Sequence, residues 1–284
     1  MGTLARALSA AVFLPFLVFV ARTGGGVFLL FLDMTMVVAL WEFYRLMEAK
    51  GVNPSKRLGV AAALILSTIT YWYGPSGGHH SLGIFLAAFM VSISLRELFR
   101  PEMAFPIYDI ATTMFGVFYV GWLMLHLLLL RELPREFGLP DSAGSSFVLY
   151  VFLLAWGCDT GAYFTGLAIG RHRLAPKVSP KKSVEGAAGG FLACVGAAFL
   201  GRAWFVRDAA GAAYLTSGQT LALGILVGVA AQLGDLVESL LKRDAQIKDT
   251  SAMIPGHGGV LDRFDSLLFS APVAYYFLAF VVLG

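Results

Sequence analysis

Long runs of apolar residues, separated by short polar segments, fill almost the whole chain. A helix needs roughly 20 mostly apolar residues to cross a bilayer. The pattern predicts nine such helices, at about 4–22, 26–44, 58–74, 81–98, 107–130, 146–169, 185–206, 217–241 and 266–283. The fourth run is short and the third and seventh have loose ends, so eight or ten helices also fit. We therefore predict an all-α polytopic integral membrane protein without a soluble domain.

Composition agrees with this prediction. The chain has 284 residues, of which 58% are hydrophobic and only 14% are charged, whereas soluble domains carry about 25% charged residues. The first apolar run resembles a signal peptide, but further runs follow it, so we expect a retained first helix. Cys158 and Cys194 lie in apolar runs and are expected to be buried and free. The net charge of +3 gives no reason to expect a nucleic-acid partner.

Lysine and arginine are unevenly divided between the two sides that nine spans create. Sixteen of the 21 lie in the N-terminal segment or after the even-numbered spans, and five lie on the other side. Lysine and arginine accumulate in cytoplasmic loops. We therefore predict a protein of the inner (cytoplasmic) membrane with its N-terminus inside, its C-terminus outside and the segment between the eighth and ninth spans inside.

That last segment, KDTSAMIPGHGGVLDRFDS, is dense in charge and glycine. Its charged residues and its histidine are Lys248, Asp249, His257, Asp262, Arg263 and Asp265. Carboxylates together with substrate phosphates are the usual way of holding Mg²⁺, and Gly258-Gly259 exposes backbone N–H groups that suit phosphate oxygens. We expect a metal and polyphosphate site here. A cytoplasmic loop with balanced charges is the alternative, and His257 alone could be a hydrogen-bonding strut.

The end of the eighth span carries a polar face. Asp235, Glu238, Ser239 and Lys242 are spaced three, four and seven residues apart, which places them on one side of a helix. An acidic pair there is costly unless it faces a cavity, a metal or opposite charges. The alternative is a helix end whose Lys242 and Arg243 extend to water.

A third polar region starts in the sixth span. Asp159 and Tyr163 are one turn apart, and the following segment is basic, with Arg171, Arg173, Lys177, Lys181 and Lys182. We expect an anion-binding loop beside the membrane, and Ser183 with Glu185 opens the seventh span, whose N-terminus adds anion affinity. The alternatives are that the positive loop only marks the cytoplasmic side and that Asp159 only pins helices together.

The chain resembles the phosphatidate cytidylyltransferases, or CDP-diacylglycerol synthases. The matching residues are Ser239, Lys242-Arg243, Lys248-Asp249, Ser251, Pro255, His257-Gly258-Gly259 and Asp262-Arg263-Phe264-Asp265. The likeness extends to GDLVES, CDTGAYFTG and SPKKSVEG, and so to about the last 140 residues. Ser183, where threonine is common in the family, is a conservative difference. The motifs of serine hydrolases, zinc proteases and P-loop enzymes are absent from the sequence.

The resemblance implies transfer of CMP from CTP to phosphatidic acid with Mg²⁺, and it allows a second cation and a homodimer. It also implies a catalytic region at 141–284 and a scaffold of helices at 1–140. The implied catalytic residues are Asp235, Lys248, Asp249, His257, Asp262 and Arg263. The implied metal ligands are Asp235, Asp249 and Asp262, then Glu238 and Asp265. The implied substrate-binding residues are Asp159, Tyr163, Lys181, Lys182, Ser239, Lys242, Arg243, Gly258 and Gly259.

Two other functions remain open at this point. One is a different CTP-dependent lipid enzyme, such as a polyprenol kinase. The other is a transporter of an anionic solute, which would also have intramembrane acids and broken helices. A transporter needs a site at the midplane, however, and the charges of this chain gather on one side.

Overall fold

Ten α-helices account for most of the protein in a computed structural model. It describes residues 3–77, 79–101, 104–247 and 258–284, without the side chains of 3–10 and 75–79. The helices are α1 (Thr3–Thr23), α2 (Gly25–Glu48), α3 (Lys56–Gly77), α4 (His79–Leu98), α5 (Pro106–Gly116), α6 (Leu123–Glu136), α7 (Asp141–Ile169), α8 (Val184–Trp204), α9 (Ser217–Asp244) and α10 (Leu261–Phe277). A π-helical turn, Val117–Trp122, joins α5 to α6, and another, Leu278–Leu283, extends α10.

The described chain therefore contains nine continuous helical rods, the number that the apolar pattern predicts. Seven of them are long and apolar enough to cross a membrane. The described apolar part of α1, Ala11–Thr23, is shorter, and α3, which bends at Gly74, is not among the seven. The prediction of an all-α polytopic membrane protein is confirmed. The division into regions 1–140 and 141–284 stays a prediction.

Helices α7, α8, α9 and α10 pack in succession, each against the next. Small residues allow the close approach, as they do in many membrane bundles. A Cβ atom on Gly161 of α7 would lie 2.3 Å from the Cβ of Ala193 on α8. Cys158 and Cys194 are both buried and free at this interface, as predicted.

A buried arginine joins three helices at the end of the bundle where α1 and α6 finish and α7 begins. Arg131 donates from Nε to the carbonyl oxygen of Ala21 at 2.8 Å, and from its two terminal nitrogens to both carboxylate oxygens of Asp141, at 2.9 and 2.6 Å. A side chain on Gly24 or Gly144 would collide with this guanidinium. The pair of hydrogen bonds in parallel is the strong geometry for arginine and carboxylate.

The basic segment between α7 and α8 folds as a small antiparallel hairpin rather than an open loop. Strand β1 (Arg173–Ala175) pairs with β2 (Ser179–Ser183), with Arg173 opposite Ser183 and Ala175 opposite Ser179. Ser183 then caps α8, because its Oγ accepts a hydrogen bond from the backbone N–H of Gly186 at 3.1 Å. The predicted start of this helix at Ser183 and Glu185 is thus confirmed to within a residue.

Candidate active site

The last two turns of α9 present the polar face that the sequence predicts. The Nζ of Lys242 lies 2.5 Å from Oε2 of Glu238, one turn earlier. Ser239 donates to Oδ1 of Asp235 across a longer 3.5 Å. Glu238 is only 1% exposed, so its charge depends on the lysine for compensation.

Helix α10 brings a second set of carboxylates to this face. It begins at Leu261, five residues before the predicted start at 266. Asp262, in its first turn, accepts from Nζ of Lys242 at 2.8 Å and from the backbone N–H of Gly259 at 2.8 Å. Gly258 has a φ of 79°, a conformation that suits glycine.

Lys242 therefore lies between Glu238 on its own helix and Asp262 on the next one. Its side chain is mostly buried, which favours the cluster over the alternative of a lysine that extends to water. Arg243, the next residue, is exposed and donates from Nε to the carbonyl oxygen of Val178 in the hairpin at 3.1 Å. The two adjacent basic residues thus have different partners.

Asp265 and Asp159 lie deeper along the same bundle. A Cβ atom on Gly234 of α9 would lie 2.5 Å from the carbonyl oxygen of Asp265, so α9 and α10 touch backbone to backbone here. The side chain of Asp265 accepts from the backbone N–H of Ser266 at 2.6 Å. Ser266 in turn donates from its hydroxyl to Asp159 on α7 at 3.1 Å.

The hairpin closes the cluster with a lysine. Nζ of Lys182, on β2, lies 2.5 Å from Oδ2 of Asp235. One-turn spacing of Asp159 and Tyr163 beside the basic loop predicts that Asp159 orients Lys181, Lys182 or a bound metal. In the structure Lys182 pairs with Asp235 and Lys181 is exposed, so a role of Asp159 toward a metal stays a prediction. The sequence placed these lysines near the acids without giving the pairing, because alternate residues of a short strand point in opposite directions.

Glu42 of α2 is a site residue that sequence reasoning missed. It is 2% exposed, and its carboxylate accepts from the backbone N–H groups of Val260 and Leu261 at 3.1 and 2.8 Å. It thereby holds the first turn of α10, where a negative charge is favourable. Glu42 and Arg45 are three residues apart, a spacing that predicts an ion pair at the helix end, whereas the backbone contacts across more than 200 residues have no signal in the local pattern.

Tyr163 is a predicted site residue that the structure does not bring into this cluster. Tyr163 is 65% exposed and its ring packs against Phe164. Arg263 is exposed on the first turn of α10. Lys248, Asp249 and His257 lie outside the described residues. Their roles stay predictions.

The carboxylates have the chemistry of a Mg²⁺ site, since hard oxygen donors suit this ion. Five acidic side chains come from the second half of α7, the last turns of α9 and the start of α10, namely Asp159, Asp235, Glu238, Asp262 and Asp265. Within the described ranges, however, no three acidic, histidine or cysteine side chains are grouped so as to hold a metal ion. Lys182 and Lys242 instead contact three of the five acids.

An apolar groove opens along the bundle next to this cluster. It has a volume of about 520 Å³ and lies between α6, α9 and α10, with Leu123, Leu233, Phe269 and Pro272 among its lining residues. Leu233 precedes Asp235 by two residues and Phe269 follows Asp265 by one turn. A polar site and a hydrocarbon surface are therefore adjacent.

Comparisons with known proteins cover nearly the whole chain. The model of the cytidylyltransferase family matches residues 4–281. The chain is 32% identical to a phosphatidate cytidylyltransferase of Synechocystis, over 98% of this chain and 97% of the relative. It is 32% identical to one of Bacillus subtilis, over 96% and 94%, and 34% identical to one of Staphylococcus aureus, over 95% of each chain. With a match that runs from the first helix to the last, the chain belongs to the cytidylyltransferase family.

Proposed function

We propose that this membrane protein is a phosphatidate cytidylyltransferase, which transfers CMP from CTP to phosphatidic acid and releases pyrophosphate. The observation that carries the proposal is the polar cluster of α9, α10 and the hairpin at one end of a membrane bundle. Its acids and lysines fit two phosphate-bearing substrates, of which one is soluble and one is lipid. The names of the relatives point to the same reaction.

In this reaction a phosphate oxygen of phosphatidic acid attacks the α-phosphorus of CTP. A new P–O bond forms there, the bond to the bridging oxygen of the β-phosphate breaks, and pyrophosphate leaves with that electron pair. The attacking phosphate is already anionic near neutral pH, so a strong general base is not required. The residues then act by positioning the reactants and by neutralising charge.

The lysines of the cluster are suited to neutralising the charge of the phosphates. Lys182 and Lys242 now compensate Asp235, Glu238 and Asp262, and each could turn from its carboxylate toward a phosphate. Lys181 is exposed beside them and would contact the nucleotide as it enters. The backbone N–H of Gly259, which donates to Asp262 in this structure, suits a phosphate oxygen as well.

Mg²⁺ is the cofactor we propose, with room for a second cation. Asp235 and Asp262, together with Asp249, would hold it, and Glu238 and Asp265 are the next candidates. When bound, the ion would neutralise phosphate charge. The support for it is the type of the donors.

The lipid substrate would approach from the groove between α6, α9 and α10. Its apolar lining suits acyl chains, while the acids and lysines at its end suit the headgroup. We infer that the site faces the cytoplasm in the inner membrane, with the N-terminus inside and the C-terminus outside, because CTP comes from the cytoplasm and sixteen of 21 basic residues lie on that side. A homodimer is compatible with the resemblance and can be tested by chemical cross-linking.

The test is to incubate purified protein with phosphatidic acid, Mg²⁺ and CTP labelled in either the α- or the γ-phosphate. The proposal expects the α-label in the lipid fraction and the γ-label in pyrophosphate. Transfer of the γ-label to lipid would instead identify a kinase. Unmodified CTP crossing sealed vesicles without any labelled lipid would identify a transporter.

A further inference from the structure

A polar cavity, distinct from the apolar groove, lies at the end of the bundle that carries the candidate site, away from the acids of that site. It has a volume of about 530 Å³ and is formed by the ends of α2 and α4, the segment between α2 and α3, and the start of α3. The residues that line it are Trp41, Asn53, Pro54, Lys56, Arg57, Arg96 and Arg100. Four of these seven are basic and none is acidic, so the cavity is built for an anion.

Two of the four basic residues are fixed in place. Arg100 is only 12% exposed and donates to Glu97 at 2.9 Å, to Asp109 at 3.0 Å and to the carbonyl oxygen of Asn53 at 2.9 Å. Lys56 contacts Glu48 at 2.7 Å. These bonds shape the cavity before any ligand arrives, which reduces the ordering cost of binding.

The other two basic residues are available to a ligand. Arg96 is 47% exposed, and its one ion pair with a described residue is with Glu97 at 3.4 Å. Arg57 is exposed, and the described part of the chain contains no carboxylate partner for it. Helix α3 begins at Lys56, so its positive end adds to the field that these guanidinium groups create.

The acids behind the cavity hold its parts together. Asp109 accepts from the backbone N–H of Asn53 at 2.7 Å, and Glu97 accepts from the hydroxyl of Ser55 at 2.9 Å. Both acids are buried. Their charges are therefore used to anchor the α2–α3 segment against α4 and α5, and the solvent side of the cavity is left basic.

Trp41 places the cavity at the level of the membrane surface. It lies near the end of α2, one of the seven spanning helices, and is 39% exposed. The Nζ of Lys56 lies 4.9 Å above the centre of its ring. Tryptophan and basic residues together are typical of the interface with lipid headgroups.

We propose that this cavity binds the phosphate group of an anionic phospholipid headgroup from the surrounding leaflet, at a site separate from the candidate active site. The lining shares no residue with the acid and lysine cluster of α9 and α10. Lipid headgroups and soluble ions such as pyrophosphate would both present a phosphate to this cavity. The aromatic and interfacial position favours the lipid as its source.

The test measures lipid retention by native mass spectrometry of the protein released from detergent micelles. Dioleoylphosphatidylglycerol is added as the anionic probe, dioleoylphosphatidylcholine as the zwitterionic comparison, and sodium pyrophosphate as the soluble phosphate. The variant is the double change Arg57→Gln and Arg96→Gln. Its matched control is Arg22→Gln with Arg207→Gln, which removes two exposed arginines from the opposite end of the bundle.

We expect phosphatidylglycerol adducts on the wild type and the control, and roughly tenfold fewer on the Arg57 and Arg96 variant, because each basic residue near the surface contributes severalfold to anionic-lipid binding. Equal retention by that variant would overturn the proposal. Loss of the lipid adduct on adding pyrophosphate at equal concentration would assign the cavity to a soluble phosphate and would overturn the lipid source. Either single variant replaces the double one if the latter does not fold. The measurement does not depend on enzyme turnover, so it is separate from the proposed reaction.

Discussion

Asp235 pairs with Lys182 of the hairpin and Asp262 pairs with Lys242 of α9. The charge of either acid can be removed with little change of shape. We expect Asp235→Asn and Asp262→Asn each to lower kcat by about 100-fold or more, the scale of losing one charge-stabilising group. The double variant should lose little beyond the single ones, because residues of one catalytic unit are not additive. The assay is the rate at which CMP label enters lipid.

Asp208→Asn is the matched control, since Asp208 holds only an exposed turn at the opposite end of the bundle. It should keep normal turnover. An asparagine variant of Asp235 or Asp262 with full activity would remove that residue from the proposed site.

Glu42 acts on the site through α10 and is best described as a positioning residue. In Glu42→Gln one of the two backbone N–H groups at Val260 and Leu261 loses its acceptor, a loss of about 1–3 kcal/mol for a buried group. We expect a lower melting temperature in detergent together with a reduced kcat and little change in KM. Glu136→Gln, at an exposed position, is the control. A melting temperature and kcat equal to the wild type would contradict the role of Glu42.

A variant of Asp159 tests whether this carboxylate is catalytic or structural. Asparagine at this position still offers an oxygen to the hydroxyl of Ser266, so Asp159→Asn should lose activity while its melting temperature stays close to that of the wild type. Thermal unfolding and turnover per folded molecule are both measured. If the melting temperature drops sharply but turnover per folded molecule is normal, Asp159 only pins α7 to α10.

For single residues, the sequence predicts which acids lie at the candidate site better than it predicts which partners they contact. The spacing of Asp235, Glu238 and Lys242 is a local property of one helix, and the structure has that arrangement. The contact of Glu42 with Leu261 depends on how two helices distant in sequence meet. Periodicity carries no information about such a contact.

The contact between α9 and α10 is the feature of helix packing on which the site depends. A Cβ on Gly234 would lie 2.5 Å from the carbonyl oxygen of Asp265, well inside van der Waals distance. Gly234→Ala should therefore separate the helices, lower stability by about 1–3 kcal/mol and reduce activity. Melting temperature and initial rate are compared with those of Gly196→Ala.

Gly196 of α8 is a suitable control because nothing lies within 4 Å of the position its Cβ would take. Alanine there should be neutral or slightly stabilising, since glycine is the poorer helix former. Equal behaviour of the two alanine variants would show that α9 and α10 tolerate a wider spacing.

The helices could be predicted closely because hydrocarbon favours backbone that satisfies its own hydrogen bonds. Their polar ends could not. Helix α10 starts at Leu261 rather than 266. A count of apolar residues stops at the charged Asp262 and Asp265, but in the structure these acids face partners inside the protein and belong to the helix. The hairpin at 173–183 was missed because its strands have only three and five residues and contain a proline.

The candidate site lies at one end of the molecule, and the side of the membrane that this end faces can be measured. In a variant without Cys158 and Cys194, a cysteine at Lys177 of the hairpin should be shielded from an impermeant thiol reagent in intact cells and labelled after permeabilisation. A cysteine at Thr250 should behave in the same way. The predicted spans put both positions on the side with the excess of basic residues.

Ala210→Cys provides the opposite case, because Ala210 is exposed in the segment between α8 and α9 at the other end of the bundle. It should be labelled from outside. External labelling of Lys177→Cys with protection of Ala210→Cys would invert the proposed orientation.

Two polar contacts join region 1–140 to region 141–284. One is made by Arg131 at one end of the bundle, and the other by Glu42 at the opposite end. Arg131 connects α1 and α6 to α7, and Glu42 connects α2 to α10. A rocking motion between the two regions would have to break the Arg131–Asp141 contact at one end or the Glu42 contacts at the other, whereas alternating access depends on such rocking. The protein is thus braced against the motion of a transporter, and its substrates must come to a fixed site, one from the water and one from within the bilayer.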